Sequence, residues 1–177
     1  QKAGERWSAA RAYLSNPPAN LTVRTGALVE RIVIENGRAT GVAARFGRQR
    51  EVLRAKGGVV LSAGAFGSPQ ILMLSGIGPA AHLSEQGIAV ALDLPAVGAD
   101  LQDHIDYVSS WQTQSKDFIG DSLAGSWTML KAIIEHRRKR TGIMTTPFAE
   151  SGGFWRSSAE APAPDVQFHF VRAMLED

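Results

Sequence analysis

The groups best placed to do chemistry in this chain belong to the main chain, in the stretch Gly64-Ala65-Phe66-Gly67-Ser68-Pro69-Gln70-Ile71-Leu72-Met73-Leu74-Ser75-Gly76-Ile77-Gly78. Glycines at both ends of a short helix let backbone approach a bulky group closely, and the amides that open such a helix can face a phosphate. The same glycines also suit a plain strand-to-helix connection that needs only their backbone angles, and both readings stay open at this point. The side chains offer less. His82, His104, His136 and His169 are isolated, and no His, Asp and Glu spacing makes a metal site. His82 and His136 read as surface residues, and His104 as a residue tying a connector to a sheet. The run His136-Arg137-Arg138-Lys139-Arg140 reads as the solvated end of a helix, where cations complement the C-terminal partial charge, ahead of a phosphate or membrane contact.

The elements that must position these groups follow from periodicity and turn chemistry. Trp7, Ala10 and Leu14 recur at helical spacing over residues 6–14, and Asn16-Pro17-Pro18 ends that helix. Residues 21–25 and 28–35 read as strands, Asn36-Gly37 as a tight hairpin turn, and 38–46 and 51–55 as the returning strands of an antiparallel meander with one solvated face. The unbroken apolar run Gly58-Val59-Val60-Leu61 predicts a strand covered on both faces. Ser68 then reads as a helix N-cap with Pro69 first in the helix, 70–74 as its body and 75–79 as its break. A second helix over 80–86 ends at Gly87.

Downstream, Leu94-Pro95-Ala96-Val97-Gly98 is the best boundary between subregions, and 105–114 reads as a strand. The longest helix spans 122–140, with Leu123, Trp127, Leu130 and Ile134 on one face and Gly142 as its cap. Residues 149–156 and 166–171 read as strands around a loop over 157–164.

Composition narrows the function classes. Lys and Arg number 19 against 17 Asp and Glu in 177 residues, a balance that favours neither nucleic acid nor an anionic membrane as partner. The absence of cysteine removes thiolate catalysis, Cys-based zinc sites and disulfides. No apolar run approaches the roughly 20 residues that span a bilayer. The chain has neither an initiator Met nor a charged-then-apolar leader at its start, so it reads as an excerpt of something longer.

The glycine-bounded block resembles the second signature of the glucose-methanol-choline (GMC) family of flavin-dependent oxidoreductases. The similarity extends to Gly4-Glu5-Arg6-Trp7-Ser8-Ala9-Ala10, to Asn20-Leu21-Thr22-Val23 and on to Ile32, to Val97-Gly98-Ala99-Asp100-Leu101-Gln102-Asp103-His104, and to Pro164-Asp165-Val166-Gln167-Phe168-His169-Phe170. It is weakest between Trp111 and Thr146 and closest to the choline-dehydrogenase-like alcohol dehydrogenases. The resemblance implies a mixed α+β fold. A partial FAD-binding domain over 1–100, built of the meander and a strand-turn-helix, precedes the start of the sheet-and-helix substrate domain over 101–177.

It also implies roles for particular residues. Val29 matches the position whose backbone holds the adenine edge of FAD, and Ser62, Ala63 and Gly64 match the segment beside the adenosine side, where a larger side chain would collide. Glu150, in Phe148-Ala149-Glu150-Ser151-Gly152-Gly153, matches the neighbourhood where choline-type members turn a carboxylate toward a quaternary ammonium, an attraction an aromatic such as Trp155 can reinforce. A carboxylate bonded to backbone amides at Gly152-Gly153 is the competing reading. His169 matches a strand lining the alcohol pocket, where a neutral imidazole can orient a hydroxyl, against the alternative of a packing residue between Phe168 and Phe170. Asp100 departs from the family, which usually has Asn, and a carboxylate accepts without donating.

The family's Gly-x-Gly-x-x-Gly turn is missing, since Gly76-Ile77-Gly78-Pro79 fails at the sixth position, and the catalytic histidine pair is implied to lie beyond residue 177. The implied activity is therefore that of a parent protein: oxidation of a primary alcohol, choline-like or other, to an aldehyde by hydride transfer to FAD, with this stretch alone inactive and flavin-free. The parent's implied location is cytoplasmic, with membrane association left open. Two alternatives stand: a GMC-type oxidase that uses dioxygen, and a non-catalytic interaction module that self-associates through exposed apolar surface.

Overall fold

The structure is a computed structural model and describes residues 2–111, 122–146 and 149–171. In chain order its elements are helix α1 (Ala9–Leu14), strands β1 (Ala27–Glu35), β2 (Arg38–Phe46) and β3 (Gln49–Arg54), helix α2 (Gly64–Leu74), strand β4 (Ile77–Gly78), helix α3 (Ala80–Glu85), strand β5 (Leu92–Asp93), helix α4 (Leu123–Lys139), a 3-10 turn (Ile143–Thr145), and strands β6 (Ala149–Trp155) and β7 (Val166–Val171). Helices and strands are mixed, and the chain forms two compact units, Asn20–Ile105 and a second made of Gln1–Ala19 with Asp106–Asp177.

The first unit is built on the meander. β1, β2 and β3 pair antiparallel in that order, with Glu35 opposite Arg38 across the Asn36-Gly37 turn. Both turn residues take positive φ, 52° and 72°, which Asn and Gly tolerate and which matches the twist of the strands they join. Ile32 and Ala44 are buried on one face. The rest of the surface carries ion pairs, Arg24 to Glu51 at 2.8 Å and Arg54 to Glu35 at 2.7 Å. Hydrogen bonding from Arg54 and then Thr40 holds the Glu35 carboxyl below its ordinary range, and Arg24 does the same for Glu51. Exposed pairs of this kind add little stability.

Helix α2 packs on β1, and the hydroxyl of the residue that closes it ties it to the strand. β1 is an edge strand, so its outer amides need acceptors from elsewhere. Ser75 Oγ accepts from the Ile32 amide at 2.8 Å and donates to the Ile71 carbonyl at 2.5 Å, which joins the end of α2 to the strand. Gly76 then turns the chain at φ 82°, and a Cβ there would strike the Ala89 carbonyl. The short parallel pair β4 and β5 follows, with Leu83 of α3 fully buried and its methyl carbons 3.7 Å from where a Cβ on Gly78 would lie. Asp93 Oδ1 accepts from the Ala80 amide at 3.0 Å and so caps α3 from across the strand pair.

In the second unit Ser8 caps α1 by accepting from the Arg11 amide, and Ser122 caps α4 by accepting from the Gly125 amide. Glu5 receives Arg11 and, at 3.0 Å, Arg140. His136 Nε2 donates to the Gly4 carbonyl at 2.9 Å. β6 and β7 form an antiparallel pair in which Gly152 faces His169. No helix among the described residues is long and apolar enough to cross a membrane.

Several local expectations are corrected. Residues 21–25 form no strand, and neither do 58–61. Val60 is 93% exposed, because a doubly covered strand needs neighbours on both sides and none pairs with it among the described residues. α2 starts at Gly64 with Ala63 as N-cap and Pro69 inside the helix, and Ser68 turns its hydroxyl back to accept from the Ala63 amide at 3.0 Å. Residues 105–111 form no strand, and 112–114 lie outside the described residues. Arg140, at φ 57°, closes α4 in place of Gly142, and His136 is half-buried.

Replacing Ser75 by Ala leaves the Ile32 amide buried without an acceptor. Urea unfolding of Ser75→Ala should show a loss of about 2 kcal/mol, within the cost of an unsatisfied buried donor. An unchanged midpoint would mean that the hydroxyl is not the joint between helix and sheet.

Candidate functional site

Ser62, Ala63 and Gly64 form the passage into α2, and all three are exposed. Gly64 has φ 85°, and nothing lies within 4 Å of where its Cβ would be. The passage is therefore a strip of main chain with no bulk over it. Its amides are not equally available. Ala63 N–H is already bonded to Ser68, whereas the first turn of α2 carries amides that have no acceptor within the helix. Gly67 sits where a Cβ would come 3.1 Å from that of Ala63, which keeps the helix start tight. Val29 is half-buried on β1 opposite Ala44, next to a register shift between Val29 and Arg31. Since α2 packs on β1, the four residues belong to one unit.

Glu150 and His169 belong to the other unit. Glu150 falls at the register shift between Ala149 and Ser151 on β6, and its side chain lies outside the described residues. His169 is exposed on β7 and faces Gly152, where a Cβ would strike the Phe168 carbonyl. The structure thus groups the residues matched to the nucleotide apart from those matched to the alcohol. His104 is exposed, and its amide donates to the Asp103 carboxylate at 2.8 Å. Asp100 adopts φ 53°, a left-handed backbone that Asn and Asp both tolerate.

One feature escaped the sequence reading. A groove of about 830 Å³ opens along α2 and is lined by Phe66, Pro69 and Met73, by His82 and Gln86 from α3, and by Leu101. Its walls are chiefly apolar, with an imidazole and an amide one helical turn apart. The four-residue spacing of His82 and Gln86 was the available signal, since residues so spaced share a helix face. Gly98 lies against this wall at φ 80°, and a Cβ there would come 2.9 Å from Met73 Cε. Among the described residues no group of His, Cys, Asp and Glu could hold a metal ion. Carboxyl groups are held below their ordinary range on the meander, at Glu160 through its own backbone amide and then Ser158, and at Asp165, which the Ser157 hydroxyl and then the Ser157 amide hold low.

Residues 1–106 match the family model described as GMC oxidoreductase. The chain belongs to the GMC oxidoreductase family. It is 40% identical over its whole length to an alcohol dehydrogenase [acceptor] of Pseudomonas putida and covers 33% of that protein. It is 43% identical, over 96% of the chain, to an oxygen-dependent choline dehydrogenase of Rhizobium etli, of which it covers 31%. Among solved structures it is similar to an FAD-dependent oxidoreductase from Chaetomium thermophilum, with a TM-score of 0.57 and 32% identity over 68% of the chain and 21% of that protein. The chain spans about a third of the length of the curated relatives it matches.

The contact of Gly98 with Met73 makes a prediction about the groove wall. Gly98→Ala should destabilise the chain by about 2 kcal/mol through backbone strain and the clash, and Met73→Ala in the same chain should return about 1 kcal/mol of that. A double-mutant cycle on unfolding free energies measures the coupling, and simple additivity would show that the two residues do not meet.

Proposed function

We propose that the parent protein is an FAD-dependent oxidoreductase that oxidises a primary alcohol, choline-like or other, to the aldehyde by hydride transfer to flavin. The observation that carries this reading is the similarity along the whole chain to an alcohol dehydrogenase and to choline dehydrogenases. The geometry supports it, because a cradle for the nucleotide half of FAD needs uncovered main chain, and the passage at Ser62, Ala63 and Gly64 supplies it. These residues would leave room for the adenosine side, and the backbone of Val29 would hold the adenine edge. When bound, the flavin supplies two-electron acceptor chemistry that no side chain has.

Glu150 is proposed to face a cationic head group and His169 to orient the alcohol hydroxyl. An imidazole suits the second task because its neutral form both donates and accepts. The family's general base is proposed to lie beyond residue 177, and the chain alone is proposed to be inactive. The boundary between the two functional parts is placed near residue 100, with the nucleotide part before it and the substrate part after it.

Two measurements on the parent test the reading. Ala63→Leu puts bulk onto the bare passage, and flavin absorbance per protein should fall at least tenfold while the circular dichroism of the protein is kept. Full flavin content would show that the nucleotide does not lie against this passage. Glu150→Gln should raise KM for a quaternary-ammonium alcohol about tenfold and leave KM for a neutral alcohol of similar size nearly unchanged, since only the former loses a charge contact. Equal effects on both would remove Glu150 from head-group recognition. Running these assays with dioxygen and with a quinone also separates an oxidase from a dehydrogenase.

A further inference from the structure

The β6–β7 hairpin carries both residues matched to the alcohol, yet its strands do little by themselves to fix which residues stand opposite each other. Residues 156–165 join them, a loop longer than the roughly two to five residues whose turn type sets a hairpin's register. Gly152 and Gly153 bring no side chains to cross-strand pairing, and the ladder already takes up an irregularity between Ala149 and Ser151. A slip of one strand by two residues keeps every side chain on its face and every amide on its edge, so the ladder alone does not resist it. In the direction that keeps Pro164 out of the ladder, such a slip would place Phe154 in place of Gly152 opposite His169. It would carry His169 about 7 Å along β6, at about 3.4 Å per residue.

The mouth of the loop does resist the slip. Ser157 donates to Asp165 twice, its amide to Oδ1 at 2.7 Å and its hydroxyl to Oδ2 at 2.5 Å, and the Asp165 amide donates to the Trp155 carbonyl at 3.1 Å. These bonds lie directly outside the last ladder pair, Trp155 opposite Val166. The Ser157 hydroxyl and then its amide hold the Asp165 carboxyl below its ordinary range, so a carboxylate that accepts through both oxygens meets the two donors. After the slip Ala159 would stand where Ser157 stands, and it has no hydroxyl to give.

We propose that Asp165, through Ser157, sets the register of the β6–β7 hairpin and is thereby the positioning residue for His169. The second half rests on the reading of His169 given above, in which its imidazole orients the alcohol hydroxyl. Asp165 touches no substrate in this scheme. It decides which stretch of β6 the imidazole stands beside.

The chain has no cysteine, so engineered cross-strand pairs serve as a ruler in the full 177-residue protein. Phe154→Cys with Gln167→Cys reports the observed register, and Phe154→Cys with His169→Cys reports the slipped one. All three positions are exposed, so the replacements disturb no core. In a glutathione redox buffer the first pair should close about tenfold more than the second, because a disulfide forms only between closely opposed residues. Adding Asp165→Ala should cut that ratio about fivefold, and Ser157→Ala, which removes one hydrogen bond and keeps the amide, should cut it less. Asp165→Asn should restore it, since an amide of the same shape accepts from the Ser157 amide and donates to the hydroxyl. An unchanged ratio in Asp165→Ala, including one in which both cross-links fall together, would overturn the proposal, because the contact would then close the loop without setting the register.

In the parent, Asp165→Ala should lower kcat/KM for the alcohol about tenfold with flavin content kept, and should add nothing in a His169→Ala background. Equal losses with and without His169 would overturn the positioning role. An unimpaired His169→Ala parent beside a shifted cross-link ratio would instead sink the alcohol reading of His169 and keep the register role of Asp165.

Discussion

The hydroxyl of Ser75 is the joint on which the first unit depends. A strand at a sheet edge leaves half of its amides facing outward, and a helix ends with carbonyls that have no partner in the next turn. Ser75 serves both elements, its hydroxyl accepting from the Ile32 amide and donating to the Ile71 carbonyl, which also accepts from the Ser75 amide. Gly76 has to follow, since only a residue without Cβ passes the Ala89 carbonyl at that angle. Fixing α2 at its C-terminal end leaves its N-terminal end unencumbered, and that is where the bare passage at Ser62, Ala63 and Gly64 opens. The geometry of the candidate nucleotide site is thus set eleven residues away from it, by a contact that touches no ligand.

The second constraint is apolar surface. Among the described residues only Ile32, Ala44, Leu83 and Ala132 are buried hydrophobics, while Val60, Phe66, Ile105, Trp111 and Leu123 are among the large side chains left open to water. A few buried residues offset little of the conformational entropy that ordering a chain costs. Local devices carry more of the order here: the Asn36-Gly37 turn, the caps at Ser8, Ser122 and Asp93, and the Glu5 contacts with Arg11 and Arg140. These devices act over short sequence distances or single contacts, which is why the elements are well formed while the interior is thin.

That division explains what the sequence could and could not disclose. Turn and cap chemistry is local, so Asn36-Gly37, Gly87 and Ser122 end or begin their elements where the residue types say they should. β2 and β7 also fall where periodicity puts them. Errors arise wherever the outcome depends on a neighbour. Gly58 to Leu61 has the composition of a covered strand, yet a strand exists only with a partner to share its ladder. Pro69 reads as the first helical residue because its missing amide is harmless there, but Ser68 satisfies the Ala63 amide and lets the helix start a turn earlier. Gly142 looks like the cap of α4 until Arg140, held by Glu5, takes the left-handed position itself. Periodicity located the stripe on α4 correctly and gave no direction for it, since a repeat states which residues share a face and not what that face meets. The groove along α2 was invisible for a related reason: its walls come from segments separate in sequence, α2, α3 and residues 97–101.

The proposed alcohol side follows a different logic from the proposed nucleotide side. β6 and β7 make a sheet of two strands among the described residues, and a two-stranded pair is marginal by itself in water. Gly152 allows the strands to close tightly opposite His169, which fixes the imidazole along the strand but leaves its ring open to solvent. A histidine that must orient a hydroxyl needs its ring held to within tenths of an ångström, and solvent does not do that. The nucleotide passage makes no such demand, because what it offers is the absence of side chains, and this survives exposure. On the proposed reading, whatever stiffens His169 packs on the open face of β7, and the shape of the proposed alcohol site depends on that cover more than on the hairpin, whereas the passage into α2 has its shape already.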